Sequence, residues 1–246
     1  MVDIVSFGIP ELDKLLGGGL TLGSTNYLEV ERGALELCFV GAFLNEGLNR
    51  RNFCGITLYD LPPDVLIDRL TETGVNIQEA IDSGSLIIVD LYEEGEYDPE
   101  RRGPILKTNN LNDPNVTLRL YLDLAEEGRK RVESGRFTGL RLVAISASTL
   151  VMNNKYEASY KLAKAARVQI RQNKVTNLTI FNPKMFDEAV VAGMEETCDS
   201  IIALSVKEVQ GRYQRYIRVK QSPISAFKMD EVPYDIIDGR PSIRLR

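Results

Sequence analysis

Eight residues, Val30-Glu31-Arg32-Gly33-Ala34-Leu35-Glu36-Leu37, lie between a short apolar run and a long one. A strand, a glycine turn and a helix in that order are the layout of a phosphate-binding loop. Such a loop reads G-x-x-x-x-G-K-[ST]: its glycines let backbone N–H groups face the phosphates, its lysine reaches the β- and γ-phosphates, and its hydroxyl ligates magnesium. Here Val30 and Leu35 stand at the glycine positions, Glu36 at the lysine and Leu37 at the Ser/Thr, while Gly33 alone keeps a glycine within the loop. At ~4 Å two unit charges near a surface interact by roughly 1–4 kcal/mol, and replacing lysine by glutamate reverses the sign toward a phosphate. No Gly-Lys dipeptide occurs elsewhere in the chain to supply a displaced loop.

Other chemistry is limited by what the chain lacks. It has no histidine, which removes Ser-His-Asp and Cys-His nucleophilic systems. Its three cysteines, Cys38, Cys54 and Cys198, are far apart and sit in apolar runs. They predict buried packing residues, with neither a disulfide framework nor a metal site. Ser146 and Ser148 have no histidine to activate them. Asp60, just before Pro62-Pro63, is expected to cap a helix. The adjacent acids Glu126-Glu127, Asp187-Glu188 and Glu195-Glu196 diverge on a helix and are expected to be solvated. Two basic stripes remain. Lys161, Lys164, Arg167 and Arg171 share a helix face, and Arg212, Arg218 and Lys220 share a strand face with Tyr216. Solvated faces with local salt bridges are the favoured reading, and a nucleic-acid or acidic-partner patch the disfavoured one, because the net charge is −5.

The elements that must position these residues follow from periodicity. Ile9, Leu12, Leu15 and Leu16 fall on one helical face after Pro10, and Gly17-Gly18-Gly19 end that helix. Core strands are predicted at Asn26–Val30, Phe53–Tyr59, Leu86–Leu91, Leu140–Ile145 and Val175–Phe181, and another at Ser200–Val206. Helices are predicted at Leu35–Arg50, from Pro62 to Leu70, and at Thr117–Ser134, Lys155–Gln172 and Lys184–Glu196. Residues 93–114, with three prolines, read as an irregular surface loop. A hairpin turning at Gln210-Gly211 and short edge strands after Phe227 close the chain. Alternating strands and helices imply an α/β protein with a mostly parallel sheet, and the 246 residues a single domain. The N-terminal stretch lacks a signal-peptide pattern and no apolar run spans a bilayer, so a cytoplasmic location is expected and no membrane partner.

The segment Gly8-Ile9-Pro10-x-Leu12-Asp13-x-Leu15-Leu16-Gly17-Gly18-Gly19-Leu20, directly ahead of the loop strand, resembles the opening of KaiC-like proteins of the RecA-type ATPase superfamily. The resemblance continues through Glu46-Gly47 to Asp60, and more weakly over the whole chain, to Met194–Leu204 and the hairpin. It implies a RecA-like three-layer fold, subunits packed around an axis, and a terminal hairpin facing a neighbour's site. It also locates what is missing. The metal-binding carboxylate would fall on Ile145 or Ser146. The acidic pair after the second core strand falls on Asp60-Leu61, of which Asp60 alone is acidic. The inter-subunit lysine matches Lys220, whereas Ser222 takes the arginine position.

The expectation is therefore a KaiC-like pseudo-ATPase with degenerate nucleotide-binding motifs and a structural or regulatory role in protein contact. No catalytic residue, cofactor or metal is expected, and ATP is not expected to bind well. Val30, Gly33, Leu35, Glu36 and Leu37 would be a vestigial phosphate loop, and Asp60 a vestigial acid position. Tyr216, Arg218 and Lys220 are the interface candidates, toward a second copy or an active KaiC-like relative. A nucleic-acid-associated accessory protein resembling recombinase paralogues and an enzyme with an unconventional nucleotide site are the two alternatives.

Overall fold

The computed structural model of the chain describes residues 3–92, 105–107 and 114–245. A two-residue strand β1 (Ile4–Val5) pairs with β2 (Leu20–Thr21) and brackets helix α1 (Pro10–Leu15), which opens on Pro10 and ends at the glycine run. Gly19 could be nothing else: its φ is +139°, and a Cβ there would meet the Val5 carbonyl oxygen at 2.4 Å. Then follow β3 (Thr25–Val30), α2 (Glu36–Asn49), β4 (Asn52–Leu58), α3 (Pro63–Glu72), α4 (Ile77–Asp82), β5 (Leu86–Asp90) and β6 (Ile105–Lys107). The second half runs α5 (Pro114–Glu133), β7 (Gly139–Ile145), α6 (Ala147–Asn153), α7 (Tyr156–Gln172), β8 (Val175–Phe181), α8 (Glu188–Glu195), β9 (Ser200–Val209), β10 (Arg212–Gln221), β11 (Val232–Ile237) and β12 (Arg240–Ile243).

All strands from β3 onward join one sheet in the order β12-β11-β10-β9-β3-β8-β7-β4-β5-β6. From β9 to β6 every pairing is parallel, and from β9 to β12 every pairing is antiparallel. The five core strands expected from the sequence share this sheet, and the hairpin turns at Gln210-Gly211 as expected. Strand side chains alternate between two helical layers. Leu28, Ile56, Val143 and Ile202 pack with Phe39, Phe43, Leu66 and Leu70 on the α2 side. Phe53, Leu140 and Val175 pack with Tyr121, Leu124 and Ile170 on the α5 and α7 side. Among the described residues no helix is long and apolar enough to cross a membrane.

Several expectations need correction. Residues 105–107 form a strand and Pro114 already belongs to α5, so the stretch expected to be an irregular loop is not one throughout; its other residues, 93–104 and 108–113, lie outside the described residues. The helix expected at 184–196 is a 3-10 turn at Pro183–Met185 and then α8, because Phe186 and Asp187 are extended between them. Asp60 caps no helix: α3 is preceded by Pro62 as its N-cap, without a side-chain cap, and Asp60 lies exposed in the bend before it. Helices α4 and α6 and the β1–β2 pair carry too few periodic residues to have been read.

One buried cation orders the α2 layer. Arg141 on β7 is 2% exposed. It donates to the carbonyl oxygens of Phe43 (3.1 Å) and Ser6 (2.9 Å) and to Asn52 Oδ1 (3.1 Å). Its guanidinium lies 4.7 Å from the Phe43 ring centroid. The helix makes room with Gly47, where a Cβ would meet Arg141 Cδ at 2.6 Å. Removing one member of a buried charged network leaves its partners unpaired. Arg141→Met is therefore expected to cost about 3 kcal/mol in a urea titration. A loss well below ~1 kcal/mol would mean the guanidinium does not hold these carbonyls.

Candidate functional site

The loop between β3 and α2 is built as a tight turn at Arg32-Gly33. Gly33 has φ +88° and Leu35 has φ +58°, so the backbone enters the left-handed region at both. Glycine adopts that region freely, whereas a leucine there is strained by about 1–2 kcal/mol. Leu35 is the N-cap of α2, makes no side-chain cap and remains 44% exposed. Glu36 opens the helix half-buried, its carboxylate in the first turn, where the helix dipole favours it. Leu37 packs against the main core.

The loop is tied down from behind by the C-terminal strands. Arg215 Nε on β10 donates to the Gly33 carbonyl oxygen at 2.8 Å. The Tyr234 hydroxyl on β11 donates to the Ala34 carbonyl oxygen at 2.6 Å, and its ring meets Phe39 of α2 edge-on at 5.1 Å. Glu31 accepts from the Val206 N–H at 3.1 Å and pairs with Lys184 at 3.0 Å. Neither Arg215 nor Tyr234 was picked out from the sequence. The only available signal for Tyr234 was the alternation of Val232-Pro233-Tyr234-Asp235, which turns it inward.

A second cluster lies at the end of β3, on the opposite face. Glu29 is 4% exposed and accepts from Lys220 Nζ at 2.9 and 3.2 Å, and Lys220 also pairs with Glu195 on α8. Two carboxylates thus share one ammonium. Burial pushes the Glu29 carboxyl up to about 7, and the neighbouring Glu195 adds to the rise. This corrects the expectation that Glu195 is solvated. It also shows where one interface candidate points: Lys220 is bonded within its own chain. Tyr216 is half-buried, its hydroxyl donating to Gln214 at 2.9 Å and Lys207 Nζ lying 5.3 Å from its ring centroid, while Arg218 is exposed. Of the helical basic stripe, Arg167 pairs with Asp199 at 2.5 Å and Lys164 lies over Tyr160.

A family model described as "ATPase: KaiC" matches residues 5–244. The chain belongs to the KaiC family of ATPases. Two curated relatives are similar. One is the circadian clock protein KaiC3 of Synechocystis, 29% identical over 105 residues, a match covering 39% of this chain and 21% of that much longer protein. The other is a UPF0273 protein of Aeropyrum pernix, 25% identical over 242 residues, covering 97% of this chain and 92% of the relative. A crystal structure of a KaiC-like protein from Pyrococcus horikoshii superposes over 100% of both chains with a TM-score of 0.78 at 16% identity, which fixes the RecA-like fold.

In this KaiC-family chain the position at the end of β7 is Ile145, buried, followed by Ser146, which enters the left-handed region at φ +59° and starts α6. Ser148 in α6 accepts from the Asn182 N–H at 2.7 Å, a structural bond across to the end of β8. Cys54 and Cys198 are buried, as expected of packing residues, whereas Cys38 is only half-buried; all three are free.

The Glu29 cluster gives a pH dependence with a defined sign. A carboxyl whose pKa is raised by folding binds its proton more tightly in the folded state. Its contribution to stability is present at low pH and fades as pH rises from the ordinary 4.5 through about 7. The urea midpoint of the chain should fall over that interval, and Glu29→Gln, which keeps the amide as a neutral partner, should flatten the decline. Parallel profiles for the two proteins would show that Glu29 does not titrate there.

Proposed function

We propose that this KaiC-family chain does not hydrolyse ATP and binds it poorly, and that it works as a structural or regulatory subunit through protein contact. The observation that carries this is the start of α2. The helix end that a phosphate loop turns toward its nucleotide begins with Glu36 and Leu37 behind an exposed Leu35 side chain. A triphosphate would meet a carboxylate where the fold calls for an ammonium. Magnesium would find no hydroxyl at Leu37 and no carboxylate at the Ile145–Ser146 junction. Arg32 is at the exposed tip of the turn, four residues before the lysine position, and Arg215 is bonded to the Gly33 carbonyl. The residues present therefore do not fit a Mg-nucleotide. A helix dipole contributes about 0.3–1 kcal/mol at an exposed end, against about 4 kcal/mol for a millimolar dissociation constant.

The partner in this reading is a second copy or an active KaiC-like relative, met in the cytoplasm, with the 246 residues acting as one domain. The exposed Arg218 beside Tyr216 supplies an aromatic-plus-arginine surface, a composition enriched at interfaces.

Two experiments test the proposal. Isothermal titration should show no saturable Mg-ATP binding at millimolar nucleotide, with hydrolysis at background. The combined change Leu35→Gly, Glu36→Lys and Leu37→Thr should gain about tenfold or more in affinity, one favourable charge contact replacing an unfavourable one. It should gain little turnover, since Ile145 and Ser146 still supply no acid. Tight Mg-ATP binding by the unmodified chain, competed by pyrophosphate, would refute the reading of the loop. For the interface, Tyr216→Glu with Arg218→Glu should lower the mass of any assembly seen by light scattering while the circular dichroism stays native. An unchanged mass with a folded variant would remove this face from consideration.

A further inference from the structure

The α5 and α7 side of the sheet holds a cavity of about 70 Å³, away from the loop. Its walls come from β3, β7 and β8 below and α5, α6 and α7 above. Three hydroxyls in these walls, Thr25 Oγ1, Thr117 Oγ1 and Ser159 Oγ, are buried without a hydrogen-bond partner among the described residues. The residues are 5%, 3% and 1% exposed and belong to three separate elements, β3, α5 and α7. Folded proteins leave few buried polar groups unpaired, and each such group asks for an explanation. Two of them, Thr117 and Ser159, lie in the first turns of α5 and α7, at the same end of the cavity, and ask for a common one.

The rest of the wall sets the chemistry of an occupant. Among the described residues, none lining the cavity is Asp, Glu, Lys or Arg. A charged guest would be desolvated there without compensation. The neighbouring polar groups are already chained: the Tyr121 hydroxyl donates to Asn177 Oδ1 at 2.9 Å and Asn177 Nδ2 donates to Thr179 Oγ1 at 2.8 Å. Leu150, Val151 and Ile170 make much of the remaining surface apolar. Hydroxyls of Thr and Ser donate or accept equally well, so they match a group that does both. The volume is about half of the roughly 150 Å³ that admits benzene, which leaves room for three or four non-hydrogen atoms.

We propose that this cavity binds a small uncharged alcohol, its hydroxyl held by Thr117 and Ser159 and its alkyl part by Leu150 and Val151. Water can satisfy hydroxyls, but it gains nothing from the apolar wall, whereas a short alkyl group does. Such a guest would bridge α5 to α6 and α7 and stiffen that side of the sheet. This site stands apart from the loop and does not depend on the reading given to it.

The test uses the full chain with labelled methyl groups, followed by NMR while 2-propanol is added, with propionate as a charged control of similar size. The methyl signals of Leu150 and Val151 should shift and saturate with 2-propanol at millimolar concentration, and stay in place with propionate. Ser159→Ala and Thr117→Val each remove one hydroxyl at little change in volume. Each should weaken 2-propanol about fivefold, the loss of one hydrogen bond, while the methyl spectrum stays dispersed. Ala163→Leu should fill the cavity and abolish saturation; if that variant does not fold, the two hydroxyl variants decide. Shifts that grow linearly and are shared by surface methyls would overturn the proposal. So would equal binding of propionate, or 2-propanol affinity unchanged by both hydroxyl variants, which would leave the cavity to water.

Discussion

A guanidinium with no water around it must be surrounded by acceptors, and the way Arg141 meets that demand organises one whole layer of this protein. Its donors reach a helix carbonyl in α2, a carbonyl in the N-terminal segment and a side-chain amide at the start of β4. The close approach requires Gly47 and stacks the charge on Phe43. Because α2 is held to β7 in this way, the helix that begins at Glu36 has a fixed position over the sheet. The loop ahead of it is thus framed between two anchored elements, β3 in the centre of the sheet and α2 above it. A further pair of ties from β10 and β11 holds its carbonyls. These ties are all made within the chain, and this is how the loop can retain its left-handed turn with leucine in a place that favours glycine.

Much of the fold was legible in the sequence because the strands are continuous apolar runs and the helices carry clear stops. Val175–Phe181 agrees with its expected bounds, Leu140–Ile145 starts one residue earlier than expected, and the glycine run after Leu16 ends α1. Short elements were not legible. Residues 77–82 form a helix of less than two turns, too short for a period to repeat. At Ala147–Asn153 the helix follows a strand with no loop-forming sequence between, only the left-handed Ser146, and nothing in residue type announces that conformation. The break before α8 escaped for a related reason: Phe186-Asp187 is extended although neither residue forbids a helix.

At the candidate site, residue types could be read and partners could not. That Glu36 and Leu37 open a helix is a local fact. That Arg215 and Tyr234 reach the same loop is a fact about residues some 180 to 200 positions away. The same holds for Lys220, whose place on an outward-looking strand face suggested a neighbour, while two glutamates of its own chain claim it. Glu29 is the clearest case of a signal passed over. An acid inside the run Tyr27-Leu28-Glu29-Val30 is buried on both faces of a parallel sheet and must have a cation or a proton. The structure supplies the cation, and the raised pKa of the carboxyl the readiness for the proton.

The placement of β3 also bears on how this chain is made. Its two sheet neighbours are β8 and β9, and its buried acid waits for Lys220. During synthesis the apolar strand from Thr25 to Val30 therefore leaves the ribosome long before either neighbour exists. At ribosomal speeds of about 5–20 residues per second, it stays without a partner on both edges for roughly ten to thirty seconds. The segments made in between, α2, β4, α3, α4 and β5, can assemble among themselves, since β4 pairs with β5 directly. The central position is thus filled late, when β8 and β9 close on either side of β3. Contacts of such long sequence separation slow folding and prolong the exposure of unpaired strand edges. A chain built in this order has reason to rely on chaperones while it is being translated, and tolerates truncation at its C-terminal end poorly.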